Sequence, residues 1–375
     1  MADTIKASFM RGGTSKALMF DRADLPADRV DWDPLLLAAM GSPDPYGRQL
    51  NGMGGGLSSL SKVCVVGASS HPDADVDFTF AQVQLRQALV DYSGNCGNMS
   101  AAIGPFALDL GLVTRADGQA SVVVHNTNTA KLVRATFEVR EGRACNTGEL
   151  TIPGVGGTGA GVRLDFLDPG GPATGRLLPT GNPLDRLVTD CGPVTVSMVD
   201  AGNACVFVAA DELGLTGSET PEELDADADA LAAIASIRRH ASVAMGLTAD
   251  VAAAAQRPLT PFIAVLGAAR HYITSDGRPV AATDYDLAAR FVSNGQPHRA
   301  VPGTGALAVA VAARLPGTVA AALAPETGGR GLALGTPAGV VDIDANVVLG
   351  PEGWRAESAT TFRTFRRLFT GAVFV

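Results

Sequence analysis

Lysine is nearly absent from this 375-residue chain: Lys6, Lys16, Lys62 and Lys131 are the only four among 29 basic residues. A lysine kept in a chain that otherwise uses arginine is informative, because lysine can lose its proton near neutral pH and arginine cannot. No apolar stretch reaches membrane-spanning length without an interrupting Gly, Pro or charge, and Met1 to Lys6 lacks the apolar core of a secretion signal. The expected location is therefore the cytoplasm. Long acidic or basic runs are also missing despite a formal charge of −9, which argues against a nucleic-acid partner and against a membrane-surface helix. The five cysteines, Cys64, Cys96, Cys145, Cys191 and Cys205, contain no Cys-x-x-Cys pair. Reduced thiols are expected, with neither a disulfide framework nor a zinc site, and the five scattered histidines suggest no metal cluster.

What is present is an apolar chain, 46% hydrophobic, long enough to bury a large core and to form two domains. Its organising stretch runs from Asp91 to Gly111. The chain reads as strand up to Ser93, the glycines around Cys96 permit a sharp turn, and Met99, Ile103, Phe106, Ala107 and Leu110 recur at helical spacing. Cys96 is placed at a helix mouth, where N–H groups and the helix dipole favour a thiolate or bind a substrate carboxylate. The alternative is a small buried hydrophobe.

Two of the four lysines sit in Gly/Ser-rich motifs. Arg11-Gly-Gly-Thr-Ser-Lys16 joins strands at Ile5–Met10 and Ala17–Phe20, and Arg11, Thr14 and Ser15 are candidates to hold an anionic group; the loop lacks phosphate-loop spacing and reads equally as a hairpin turn. In the motif from Arg48 to Val66 a strand follows the glycines, which excludes a dinucleotide fingerprint. Lys62 opens that strand, where partial burial would disfavour its charged form and suit it to act as a base. A lysine with its head in water is the competing reading.

Strands are expected at Val76–Val90, Ser121–His125 and Leu132–Arg140, with the polar loop Asn126–Lys131 between the last two. Gly/Pro-rich segments follow, and Leu177–Pro183 marks a boundary between residues 1–184, completed by a C-terminal strand 362–375, and residues 185–361. The second half repeats the plan. It has strands at Val194–Val199 and Cys205–Ala209, a capped helix from Thr220 towards Met245, a strand at Pro261–Leu266, a helix at Thr283–Asn294 and strands from Ala338 onward. Its Pro302-Gly-Thr-Gly305 turn opens an apolar helix, giving N–H donors and Thr304 but no thiol.

These motifs resemble the isomerase family that contains 2-methylaconitate isomerase (PrpF), methylitaconate isomerase and 4-oxalomesaconate tautomerase. The likeness covers nearly the whole chain and rests on Met10–Lys16, Gly41–Asp44, Gly52–Lys62, Asp73–Asp77, Tyr92–Asn98, Gly104–Phe106, Leu178–Asn182 and Arg363–Arg367. It implies an α+β architecture of the diaminopimelate-epimerase type: two similar domains, each a sheet wrapped round a central helix, with the active site in the cleft between them. It further implies that Lys62 and Cys96 flank an unsaturated polycarboxylate, with no metal or organic cofactor. Arg11, Thr14, Ser15, Ser58, Ser59 and Asn98, with backbone N–H groups at Gly97, Gly303 and Thr304, would bind the carboxylates. The expected reaction is a 1,3-allylic proton shift, which needs an acid/base group and a cradle for a dienolate. A two-base epimerase and a non-catalytic carboxylate-binding protein are the alternatives, and pairing of such two-domain units into a homodimer is compatible with this reading.

Overall fold

The computed structural model describes residues 4–92, 96–257, 260–293, 295–326 and 330–375. The chain divides into two compact units, Met1–Asp165 with Phe362–Val375, and Phe166–Thr361. The division falls before Leu177–Pro183 rather than within it. Among the described residues no helix is long and apolar enough to cross a membrane.

In the first unit, strands Thr4–Gly12 and Ser15–Asp21 form an antiparallel hairpin closed at Gly12 and Ser15, and Gly13 takes the left-handed conformation (φ +51°) that the turn needs. Ser15–Asp21 runs parallel to Lys62–Ala68, which pairs antiparallel with Val76–Val83. That strand is parallel to Gly118–Asn126, itself antiparallel to Lys131–Arg140. The C-terminal strand Gly353–Phe374 completes this sheet by pairing antiparallel along Thr4–Gly12.

Successive side chains of a strand point to opposite faces, so each strand contributes to two layers. Phe9, Leu18, Phe20, Val63, Val65, Ala81 and Val83 bury one face with the helix Trp32–Met40. The opposite face carries the helix Ser100–Asp109, whose residues from Ser100 to Leu108 are all buried. Gly104 lets it press against Phe137, since a Cβ there would lie 2.6 Å from the ring.

The second unit follows the same succession of pairings. Gly192–Ala201 and Asn203–Ala209 form a hairpin; Asn203–Ala209 is parallel to Phe262–Ala268, which is antiparallel to Leu287–Ser293. The last is parallel to Leu332–Thr336, itself antiparallel to Gly339–Gly350. Helix Ala228–Ala244 packs on one face through Ile234 and Ile237, and Gly303–Arg314 is buried from Gly305 to Ala312.

Three local expectations are corrected. Thr283–Asn294 is not a helix: a short 3-10 turn at Ala282–Asp284 leads into the strand Leu287–Ser293, and Asn294 lies outside the described residues. The strand is covered on both faces, Phe291 meeting Gly305 and Arg290 lying over the Tyr272 ring, so apart from Arg290 its buried positions are apolar on both faces and show no period-two alternation. The helix from Thr220 has the expected reciprocal capping box but stops at Ala226, and Asp227 caps a second helix beginning at Ala228. The expected strand at Val76–Val90 ends at Val83 and resumes only as Val90–Asp91.

Candidate active site

Lys62 is the first residue of its strand and stands directly opposite Gln82. Its Nζ donates to Gln82 Oε1 at 2.6 Å and lies 4.8 Å from the centre of the Phe80 ring. The Gln82 amide nitrogen donates to the carbonyls of Ser58 (3.1 Å) and Ser61 (2.8 Å), which leaves only its oxygen to face the amine. Among the described residues no carboxylate pairs with Nζ. The lysine is thus held by a neutral acceptor and an aromatic face, neither of which cancels its charge.

The chain before Lys62 is shaped for this. Gln49, almost wholly buried, donates to Ser42 Oγ and Ser61 Oγ and accepts from the Gly56 N–H. The glycines let the chain cross itself: a Cβ on Gly52 would sit 2.1 Å from the Gly41 nitrogen. Ser58 and Ser59 lie in the 3-10 turn Ser58–Leu60 at the end of this loop.

Cys96 is buried, with its thiol directed at Ser15 Oγ, 4.0 Å away. Its carbonyl accepts from the Ser100 N–H (3.1 Å) and hydroxyl (3.3 Å), so the turn through Gly97 and Asn98 leads directly into the helix Ser100–Asp109. Register brings Lys62 to the same side. Ala17 pairs with Lys62 across parallel strands, and Ser15 shares the face of Ala17, so Ser15, Lys62 and Cys64 all project towards the helix that follows Cys96. Burial pushes the Cys64 thiol well above its ordinary pKa; Cys96 raises it further and Lys62 pulls it back. Cys64 therefore lies within electrostatic reach of both.

Asn98 ties the helix mouth to the hairpin tip. Its Nδ2 donates to Thr14 Oγ1 at 3.0 Å and its Oδ1 accepts from Arg363 Nε at 3.1 Å. A Cβ on Gly12 would lie 2.6 Å from the Asn98 carbonyl oxygen, and one on Gly13 only 2.3 Å from its Oδ1. Burial pulls the Arg363 guanidinium down to about 10. Asn128, in the polar loop Asn126–Lys131, bonds both the N–H and the carbonyl of Phe80 and the carbonyl of Tyr92, anchoring the strand that leads towards Cys96.

Lys62, Cys96, Ser15, Gly97, Asn98 and Thr14 thus belong to one neighbourhood, with Ser58 joined to it through Gln82. Arg11 does not share that face. It pairs with Lys16, one residue out of phase with Ser15, and its Nη1 donates to the carbonyls of Gly13 and Thr364 and to Thr364 Oγ1. Gly303 and Thr304 belong to the other unit, where they open the helix Gly303–Arg314. Gln82 and Arg363 are the site-supporting residues that the sequence reading passed over. Arg363 opens the Arg363–Arg367 motif, whereas Gln82 carries no local signature.

The family model described as "PrpF protein" matches residues 2–375. The chain belongs to the PrpF family. Among curated PrpF relatives it is 41% identical over 374 residues to the 3-methylitaconate isomerase of Eubacterium barkeri, covering 99% of this chain and 97% of that protein. It is 38% identical over 381 residues to the 2-methyl-aconitate isomerase of Cupriavidus necator, covering 98% and 96%. A crystal structure of methylitaconate-delta-isomerase superposes with a TM-score of 0.93 at 39% identity, covering 100% of this PrpF chain and 96% of the other. A hydroxyproline epimerase from Agrobacterium vitis shares the fold at a TM-score of 0.52 and 12% identity, covering 100% and 93%.

Proposed function

We propose that this protein is a cofactor-independent allylic isomerase that moves the double bond of an unsaturated di- or tricarboxylic acid of the methylitaconate or methylaconitate type. That it is an isomerase follows from its family and relatives. The observation that carries the chemistry is the projection of Lys62 to the face on which the Cys96 thiol is directed at Ser15.

In this reading Lys62, in its amine form, takes a proton from the carbon next to the conjugated system, and the negative charge spreads over the dienolate. Cys96 returns a proton two carbons away, and the two roles exchange in the reverse direction. The carboxylates and the developing oxyanion would be held by Ser15, Thr14 and Asn98, by Ser58 and Ser59, and by backbone N–H groups at Gly97. Gly303 and Thr304 open the corresponding helix of the second unit, where their backbone N–H groups are donors suited to a carboxylate. The recurrence of strand pairings in the two units supports treating them as similar domains of one epimerase-like architecture.

A panel of unsaturated di- and tricarboxylic acids followed by proton NMR in deuterated water tests this. Double-bond migration with deuterium incorporation into at least one member is expected; binding without hydrogen exchange at any carbon would overturn it. Gln82→Leu provides a finer check. Losing the acceptor at Nζ and leaving two carbonyls without their donor should lower kcat about tenfold or more while moving KM less, because the amine is mispositioned rather than the substrate unbound.

A further inference from the structure

The face of the hairpin opposite Lys62 holds a second concentration of positive charge. Arg11 and Arg366 stand directly opposite each other on adjacent antiparallel strands and line a cavity of about 250 Å³ with Asn146, Thr147, Thr158 and Gly159. Among the described residues no aspartate or glutamate lines it. Two like charges directly opposed on a sheet destabilise it unless something of the other sign intervenes. Burial, with Arg366 adding to it, holds the Arg11 guanidinium below its ordinary value.

The donors around this cavity are arranged rather than scattered. Among the described residues every hydrogen bond that Arg11 makes leaves from Nη1, so Nε and Nη2 keep their N–H groups for another acceptor. A Cβ on Gly159 would stand 3.3 Å from Nη2, so the absence of a side chain there keeps the approach to the guanidinium open. Asn146 Oδ1 accepts from the Arg367 N–H at 2.8 Å, which leaves the Asn146 amide nitrogen as a further donor. Among the described residues the exposed Arg366 guanidinium makes no ion pair. The volume would hold about eight waters, enough for a phosphate or a small polycarboxylate.

We infer that this cavity is an anion-binding site for a phosphate- or carboxylate-bearing small molecule, separate from the Lys62–Cys96 site. Two guanidiniums presented side by side suit the paired oxygens of such groups. The inference does not depend on the isomerase reading, because Arg11 faces away from Lys62.

Thermal unfolding of the full chain, with inorganic phosphate titrated against chloride at constant ionic strength, tests it. Phosphate should raise the Tm of the wild type and of Lys62→Ala alike. Arg366→Gln should weaken the apparent affinity about tenfold, the loss expected for one charge-assisted contact. Arg366 is exposed, so the variant should fold, and Arg366→Lys, which keeps charge but not the paired donors, should fall between. Repeating the titration with propane-1,2,3-tricarboxylate, which has no double bond to move, separates the two sources of the anion; a response through Arg366 to either one supports the site. Equal responses in wild type and Arg366→Gln, no response beyond chloride, or a response lost in Lys62→Ala but kept in Arg366→Gln would each overturn it.

Discussion

Replacing Lys62 with alanine should lower solvent deuterium incorporation into the substrate by about 10²- to 10⁴-fold, the usual contribution of a positioned acid/base group. The size of the effect follows from what surrounds Nζ. Gln82 Oε1 and the Phe80 face hold the amine in place, so its loss removes a positioned group rather than a mobile surface side chain. Stability should change little, by about 1 kcal/mol, because Val63 and Val65 anchor the strand in the core of the opposite face and only one polar contact is lost. Lys62→Arg should be nearly as inactive, since a guanidinium does not give up its proton in this range. Proton NMR in deuterated water reads the exchange, and an unchanged melting curve excludes misfolding as its cause. Wild-type exchange in Lys62→Ala would remove the lysine from the mechanism.

Four elements were legible because each follows a strong local rule. The strands on either side of Gly13–Thr14, the strand from Lys62, the capped start at Thr220 and the strand-like tail after Phe362 all follow from local composition and spacing. Legibility failed where the deciding partner lies far away in the chain. Leu287–Phe291 is buried on both faces because a helix covers one and Tyr272 the other, which erases the period-two pattern. Arg11 and Ser15 lie in one short motif, yet the two-residue turn fixes opposite parities for them, so one motif serves two faces. Gln82 became a partner of Lys62 only through a register that no window around either residue contains.

Cys96→Ala should separate two events that the wild type couples. A double-bond shift needs a proton removed at one carbon and another delivered two carbons away, and a single rigidly held amine is poorly placed to reach both. With the thiol gone, overall isomerisation should fall about 10²-fold or more, while exchange at the carbon facing Lys62 persists. Position-resolved deuterium incorporation distinguishes this from simple collapse of the site, which would abolish exchange at both carbons. The substitution removes a single sulfur from a buried position beside Ser15, a change of about 1 kcal/mol, so the fold should survive. Cys64 offers no substitute despite being within electrostatic reach, because full burial holds its thiol protonated and away from exchange with solvent. Isomerisation at the wild-type rate in Cys96→Ala would leave Lys62 as the sole acid/base group and require it to serve both carbons, contrary to the fixed amine that Gln82 and Phe80 define.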